Sequence, residues 1–372
     1  MSATRGQSAY QARAHGVSDL AHLNQKIRRS CRTAYIDSFA MAVYPFPISG
    51  ECCNEGSDVA CSAASTLGEN TACHQPHYET ANSMKSAQQF VRDLLWVVNS
   101  PTLLRTTDDH CCDAKSWRLQ EHRVRAKHLA DFMASKDACS LGRYFEGLIS
   151  YWLHHVRKVD VLFESFAIRE QKQTVGEIDF IFIDEQARVT HWEVAVKFYL
   201  FSSVSYGLGS HYLGPNAVDT LDRKIDRIFG HQLPLSKRCF PDVELRQAFV
   251  KGRIFYPLLQ PRGLTEHPSL SNAHLDGSWL QHSEVRFMDS DAGWDAQNAC
   301  YLVLQKPHWL SLVQASDSAG KLMSFYEFSD SMDQHFSESK RCPLVVQLKL
   351  GDAGYVESRR FFVVPNGWPH VV

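Results

Sequence analysis

Four charged residues within residues 176–200, GEIDFIFIDEQARVTHWEVAVKFYL, have the types and the spacing that could hold a cation. Successive side chains of a β-strand alternate between two faces, so Glu177 and Asp179 share one face of the first apolar segment. By the same alternation, Glu193 and Lys197 share one face of the second segment. Each segment therefore has one apolar face and one face with charges near its middle.

The short polar sequence DEQAR between the two segments predicts an antiparallel hairpin. If Ile183 pairs with Val189, Asp179 lies directly opposite Glu193, with the two side chains about 5 Å apart. Like charges at that distance are destabilising, whereas a divalent cation between them would turn the arrangement into a binding site. The alternative is that this face meets only water, as the second face of many antiparallel strands does. The residues alone leave both interpretations open.

The hairpin is surrounded by segments with helical or strand periodicity. A helix with Asn216 as its N-cap is predicted from about Ala217 to Leu233. Another helix carries Glu146, which could approach the charged face of the hairpin. The remaining predicted elements are a helix in SAQQFVRDLLWVVN and strands in VLFESFAI and RIFYPLL. Helices alternating with several strands predict an α/β fold around one sheet.

Three regions differ in composition along the chain. Residues 1–85 are of low complexity and include ECCNEGSDVACSAAS, so we expect a poorly ordered extension. Residues 86–260 carry the strong periodicity and form the predicted core domain. Residues 261–372 predict a smaller C-terminal α+β unit packed on that core.

Composition limits the function classes. The 39 basic and 41 acidic residues give a net charge of -2, so a nucleic-acid partner would need a local basic groove. The 11 cysteines include no CxxC pair, which excludes a zinc ribbon and a thioredoxin-type site. The chain has neither a secretory signal nor an apolar run of roughly 18 residues. We therefore expect a cytoplasmic protein with no membrane partner.

The order of Glu146, Asp179, Glu193 and Lys197 resembles that of the PD-(D/E)XK nuclease superfamily. The resemblance implies a restriction-endonuclease-like core, a mixed sheet flanked by helices, and catalytic roles for these four residues. It also implies that Asp179 and Glu193, with Glu177 nearby, bind Mg²⁺ (or Mn²⁺), and that Lys197 positions the attacking water. DNA or RNA would then be the substrate.

The sequences of several stretches are more closely similar to DUF1853, a bacterial family of domains of unknown function that is placed in that superfamily. These stretches are VRDLLWVVNSP, LGRYFEGL, GEIDF, HWEVAVKFYL, YLGPNAVDTLDRKIDRIFGHQL and RRFFVVP. The sequence departs from the superfamily pattern at Ala195, where an acid usually precedes the lysine by two residues. Glu193 lies one strand repeat, about 7 Å, farther along the same face.

Supporting positions have two interpretations each. The helix after the lysine strand often adds a basic or amide group in the superfamily, which makes Lys224 and Gln232 candidates for binding nucleic acid; a solvated helix face is the alternative. His191 shares the face of Glu193 and is interpreted as a rim residue. Overall, the sequence predicts a metal-dependent phosphodiester hydrolase. The alternative is an inactive nuclease-like protein that binds nucleic acid or a protein partner, and the sequence leaves the oligomeric state open.

Overall fold

The structure is a computed structural model whose central feature is a mixed β-sheet flanked by helices, an α/β fold as predicted. The predicted extension over residues 1–85 lies outside the described residues. The structure describes residues 86–105, 110–112, 117–136, 140–170, 173–206, 209–259, 267–290, 294–314, 321–352 and 354–370.

Within the described residues, the sheet has nine strands: β1 Asp160–Glu170, β2 Gln173–Ile183, β3 Val189–Tyr206, β4 Ser210–Leu213, β5 Leu245–Pro257, β6 Leu275–Gln281, β7 Ala299–Leu304, β8 Leu344–Gly351 and β9 Gly354–Val364. Their order is β1-β2-β3-β5-β6-β9-β8-β7, and β4 pairs with β3 off this path. The pairs β3–β5, β5–β6 and β6–β9 are parallel, and the other neighbours are antiparallel. The sheet therefore continues across residue 260, where the second unit was predicted to begin.

Helices cover both faces of the sheet. They are α1 Ala87–Asn99, α2 Ala126–Ala134, α3 Leu141–Tyr151, α4 Leu221–Arg227, α5 Leu233–Cys239 and α6 Phe325–Glu338. A π-helical turn, Trp152–Arg157, continues α3, and another, Ile228–Gln232, joins α4 to α5. Short 3-10 turns occur at Glu121–Arg123, His282–Ser290 and Ala296–Asn298. No helix in the described ranges is long and apolar enough to span a membrane.

The two faces of β3 pack against different helices. Trp192, Val194 and Phe198 belong to the largest apolar cluster, which contains buried residues of α1 and α3. Ala195 and Tyr199, on the opposite face, belong to a cluster with buried residues of α4 and the π-turn that follows it. The alternation of side chains along β3 thus separates two cores, and the charged residues lie on the Ala195 face.

The predicted register of the hairpin is confirmed. Ile183 pairs with Val189, and the pairing extends as far as Phe180 and Trp192. The β2–β3 ladder ends there, whereas β3 continues in parallel pairing with β5. Strand β2 therefore parts from β3 at the level of the predicted acidic pair.

The predicted N-cap of the helix after β4 is wrong by four residues. The Asn216 side chain instead accepts a hydrogen bond from the Val218 backbone N–H at 3.4 Å, within a turn where Ala217 has a φ of 55°. Helix α4 begins at Leu221, and the Thr220 hydroxyl caps it by accepting from the Arg223 N–H. Both Asn and Thr are good N-caps, and the local turn decides between them.

Candidate functional site

The Asp179 carboxylate lies at the point where β2 separates from β3. Its Oδ2 accepts a hydrogen bond of 2.7 Å from the backbone N–H of Val194. Burial, followed by the negative charge of Glu193, raises the pKa of Asp179 well above its usual range, against the lowering effect of that hydrogen bond. A carboxylate is thus fixed by the backbone of β3 in a place where its charge is poorly compensated.

Glu193 is the most buried of the predicted acids, with 1% of its surface exposed. Its Oε2 accepts a hydrogen bond of 2.5 Å from Gln232 Nε2, and its Oε1 lies 3.1 Å from His191 Nε2. Burial raises the pKa of Glu193 to about 7, although Lys224 and hydrogen bonds from Asp179 act in the opposite direction. The structure therefore brings Asp179 and Glu193 together.

His191 is not a rim residue, as its place beside Glu193 had suggested, but is fully buried. Its Nδ1 lies 2.8 Å from the Ser236 hydroxyl of α5, which also accepts a hydrogen bond from Arg246 Nε at 2.9 Å. Burial lowers the pKa of His191 to about 3, so its imidazole is neutral. The ring is held from both sides and fixes one oxygen of Glu193.

Glu146 projects from α3 and is half-buried. Burial, then the charge of Asp179, raises its pKa to about 7, with smaller contributions from other carboxylates. Among the described residues, its carboxylate has neither a hydrogen bond nor an ion pair. Glu177 is exposed, and its charge raises the pKa of both Glu146 and Asp179. Glu146, Asp179 and Glu193 together form what we call the acidic cluster, and Glu177 lies at its exposed edge.

Lys224, on α4, and Gln232, at the end of the π-turn that joins α4 to α5, reach the same cluster. Lys224 Nζ donates to Gln232 Oε1 at 3.3 Å, and Gln232 in turn donates to Glu193. Burial lowers the pKa of Lys224, while Glu193 and Asp179 favour its charged form. Both side chains are half-buried, so neither lies on a purely solvated helix face.

Lys197 lies on the same face of β3 but is engaged elsewhere. Its Nζ is 2.6 Å from Asp219 Oδ2, and both side chains are about one-third exposed. The Tyr199 hydroxyl also donates to this Asp219 oxygen, at 3.4 Å. Asp219, placed in the predicted helix by the sequence, lies in the turn before α4 and orients the lysine. The Ala195 position, between Glu193 and Lys197, is 8% exposed and apolar.

The geometry limits how many side chains could hold one metal ion. Within the described residues, no group of three or more His, Cys, Asp or Glu side chains is close enough to bind a metal together. The available donor set at this site is therefore the pair Asp179 and Glu193, with Glu146 nearby. One or two carboxylates are the number that protein Mg²⁺ sites commonly use, because Mg²⁺ keeps several waters and binds substrate phosphates.

Comparison with known proteins identifies a family but no activity. No curated protein and no solved structure matches the chain. A family model described as a domain of unknown function, DUF1853, matches residues 92–364, which include every residue of the acidic cluster. This match covers most of the chain, and the protein belongs to the DUF1853 family.

Proposed function

We propose that the protein is a metal-dependent phosphodiester hydrolase that acts on DNA or RNA. One observation carries the proposal: Glu146, Asp179 and Glu193 gather where β2 leaves β3, and burial raises the pKa of all three. Carboxylates that are buried near one another without enough positive charge favour the binding of a cation. Perturbed pKa values of this kind are concentrated at functional sites.

The side chains fit a small oxygen-liganded cation better than a softer one. Asp179 and Glu193 supply carboxylate oxygens, the donors that Mg²⁺ and Mn²⁺ prefer, and no cysteine lies among the described residues of the cluster. The ion would neutralise a scissile phosphate and lower the pKa of a bound water. Oε2 of Glu193 already accepts a hydrogen bond from Gln232, and its second lone pair could bind the ion.

The chain's own residues have distinct roles in this proposal. Lys197 would supply positive charge beside the phosphate, with Asp219 setting its orientation. Lys224 would bind a phosphate oxygen, and Gln232 would orient Glu193. His191, neutral and locked by Ser236, would keep the Glu193 carboxylate in place through its other ring nitrogen.

The architecture supports placing this core among the restriction-endonuclease-like folds. An antiparallel unit, β1-β2-β3, is followed by the parallel strand β5, and helices pack on both faces. The acids lie on β2, β3 and the preceding helix α3, in the order that the superfamily resemblance implies. Fold likeness does not fix function, so the proposal depends on the acidic cluster.

A non-catalytic role in binding nucleic acid or a protein partner is the second candidate. It is favoured by the way the polar groups satisfy one another, because Lys197 pairs with Asp219 and both oxygens of Glu193 have partners. Ala195 also occupies the position at which the superfamily usually has an acid. A surface that only binds would need neither a free carboxylate nor a metal.

The decisive experiment compares Asp179→Asn with Asp131→Asn. The second substitution is a matched control, because Asp131 is an exposed residue of α2 whose carboxylate pairs with the exposed Lys127 on the same helix. Calorimetry with Mg²⁺ and Mn²⁺ measures metal binding. The same samples are then incubated with single- and double-stranded DNA and RNA, with and without EDTA.

We expect the native chain and Asp131→Asn to bind the metal and cut at least one of the four substrates. Asp179→Asn should lose both properties, with cleavage reduced at least roughly 100-fold. Absence of metal binding and cleavage in all three proteins would refute the hydrolase. Nucleic-acid binding that persists in EDTA without any cleavage would favour the second candidate instead.

A further inference from the structure

Two basic stretches that are far apart in the sequence meet on one surface of the structure. They are HRVRAKH, residues 122–128, which leads into α2, and HHVRK, residues 154–158, at the π-turn that continues α3. The imidazole rings of His128 and His155 lie edge to face, with their centroids 4.7 Å apart. His128 Nδ1 also lies 3.2 Å from the Tyr151 hydroxyl of α3. The packing of α2 on α3 therefore holds the two stretches together.

Two cations of these stretches are already neutralised within the protein. Lys127 pairs with Asp131 at 2.9 Å. Arg157 has only 5% of its side chain exposed, pairs with Glu185 and lies over four aromatic rings. Neither Lys127 nor Arg157 is therefore counted as charge that a partner could use.

Three other cations of the two stretches remain available. Arg123, Arg125 and Lys158 are exposed, and none of them has an ion pair within the described residues. Val124, between the two arginines, is buried in the largest apolar cluster, so both arginine side chains point away from the core. Glu121, immediately before the first stretch, is also exposed and offsets part of this positive charge.

Arg125 lies close to the second stretch as well as to the first. Burial lowers the pKa of His155, and the positive charges of His128, His154 and Arg125 lower it further. His154 lies 3.4 Å from a carboxylate oxygen of Glu164, whereas the described residues offer His155 no such partner. Positive groups that repel one another in this way favour the binding of an anion.

An exposed cationic surface can bind a nucleic acid, an acidic protein or an anionic membrane, and the nearby apolar residues distinguish these partners. Among the described residues, the strongly exposed large apolar side chains all lie at Val204 or beyond, so none belongs to α1, α2, α3 or β1. Protein interfaces depend on aromatic or apolar anchors, and membrane-surface helices depend on an apolar face. The phosphate backbone of a nucleic acid requires only positive charge, because the release of its counterions drives binding.

We propose that this surface binds the phosphate backbone of a nucleic acid. We call it the α2–α3 basic surface, and it consists of Arg123, Arg125, His128, His155 and Lys158. His155 follows Glu146 by nine residues on one continuous helical segment, a distance of roughly 13 Å along the axis. The proposal shares its partner class with the proposed function but does not rest on cleavage, because this binding requires neither a metal nor the acidic cluster.

The test removes two charges from the α2–α3 basic surface without changing the core. Arg123→Gln/Arg125→Gln alters two exposed side chains, and Arg125 makes no side-chain hydrogen bond as the N-cap of α2. The matched control, Arg286→Gln/Lys321→Gln, removes two exposed cations from another part of the chain and changes the net charge equally. Arg123→Lys/Arg125→Lys keeps both charges. Fluorescence anisotropy with labelled single- and double-stranded DNA and RNA, in EDTA and at several KCl concentrations, gives each Kd, and the melting temperature shows that each variant is folded.

We expect the native chain, the control and the lysine variant to bind at least one of the four nucleic acids, with Kd values within about threefold of one another. Arg123→Gln/Arg125→Gln should bind at least roughly tenfold more weakly, and the slope of log Kd against log salt should fall by about 1–2. No binding to the native chain, or an equal loss of affinity in the control, would overturn the surface.

Two further measurements separate this proposal from its alternatives. Polyglutamate that displaces the oligonucleotide at an equal concentration of charge would assign the surface to an acidic protein and overturn the nucleic acid. Asp179→Asn should bind as tightly as the native chain. If no protein cleaves nucleic acid but binding still depends on Arg123 and Arg125, the hydrolase fails while the α2–α3 basic surface stands.

Discussion

The Asp179 carboxylate accepts a hydrogen bond from the Val194 backbone N–H at 2.7 Å, immediately beyond the last paired rung of β2 and β3. A side chain thus takes the place of a strand carbonyl at the end of the ladder. Because β3 is also paired with β5 here, the Val194 backbone is fixed and holds the carboxylate in turn. The separation of the two strands creates the space in which Asp179, Glu193 and Glu146 approach one another.

Replacing Glu193 should change how stability depends on pH. The pKa of Glu193 is raised from 4.5 to about 7 in the folded chain, so the folded state holds a proton that the unfolded state releases. The free energy of unfolding therefore falls as the pH rises from about 4.5 to about 7. The glutamine of Glu193→Gln does not ionise, so the stability of this variant does not fall for that reason over the same pH range. We expect it to become more stable than the native chain above pH 7 by an amount on the order of 3 kcal/mol or less.

Urea unfolding at half-unit steps from pH 4.5 to pH 8 measures this difference. His191 has the opposite effect, because a histidine whose pKa is lowered to about 3 adds stability as the pH rises from 3 to 6.5. Both proteins contain His191, so its contribution largely cancels in the difference between them. Parallel stability curves over the whole range would contradict the raised pKa of Glu193.

Replacing Lys224 should increase the destabilising repulsion between the ionised carboxylates of Asp179 and Glu193. Its positive charge lowers the pKa of both Asp179 and Glu193, so Lys224→Met should raise these pKa values further. The variant should lose stability at pH 8, where both carboxylates must ionise, and change little at pH 5. We expect a difference of about 1–3 kcal/mol between the two pH values. Lys237→Met, an exposed position on α5, is the control and should show no such difference.

The register of the hairpin could be predicted because it depends only on residues that are close together in the sequence. Side chains alternate along each strand, and the turn DEQAR leaves one pairing that keeps Ile183 and Val189 together. The burial of His191 could not be predicted in this way. Alternation assigns its face, but the residue that covers it, Ser236, arrives on α5 after 44 intervening residues.

The contacts of the acidic cluster depended on similar long-range packing. Gln232 and Lys224 could be chosen from the resemblance, but a π-turn, invisible in the periodicity of the sequence, determines that they meet at Glu193. Asp219 was missed as a partner of Lys197 because the predicted helix began too early. A turn containing Asn216 and Ala217, rather than helix, brings it to the lysine.

Gly252 should be irreplaceable because the backbone of β3 lies against it. A Cβ at this position would lie 1.8 Å from the Lys197 carbonyl oxygen, an impossible contact with a backbone atom. Gly252→Ala should push β5 away from β3 and reduce the free energy of unfolding by roughly 3 kcal/mol or more. Gly230→Ala is the control, since a Cβ there meets nothing within 4 Å and removes a flexible residue from a helical turn. Thermal unfolding that is equal for the two variants would contradict the close approach of the strands.

Asp219→Asn should disturb the orientation of Lys197 while changing the stability of the fold only slightly. The pair is 2.6 Å long but about one-third exposed on each side, so its loss should cost at most about 1 kcal/mol. In the proposed hydrolase, however, the lysine must lie beside the phosphate, and loss of its partner should lower the rate of metal-dependent cleavage at least roughly tenfold. Asp226→Asn, an exposed position on the same helix as Lys224, should change neither property. The measurement is the single-turnover rate together with the melting temperature of each variant. A cleavage rate unchanged in Asp219→Asn but abolished in Lys197→Met would show that the lysine acts without Asp219 as its positioning residue.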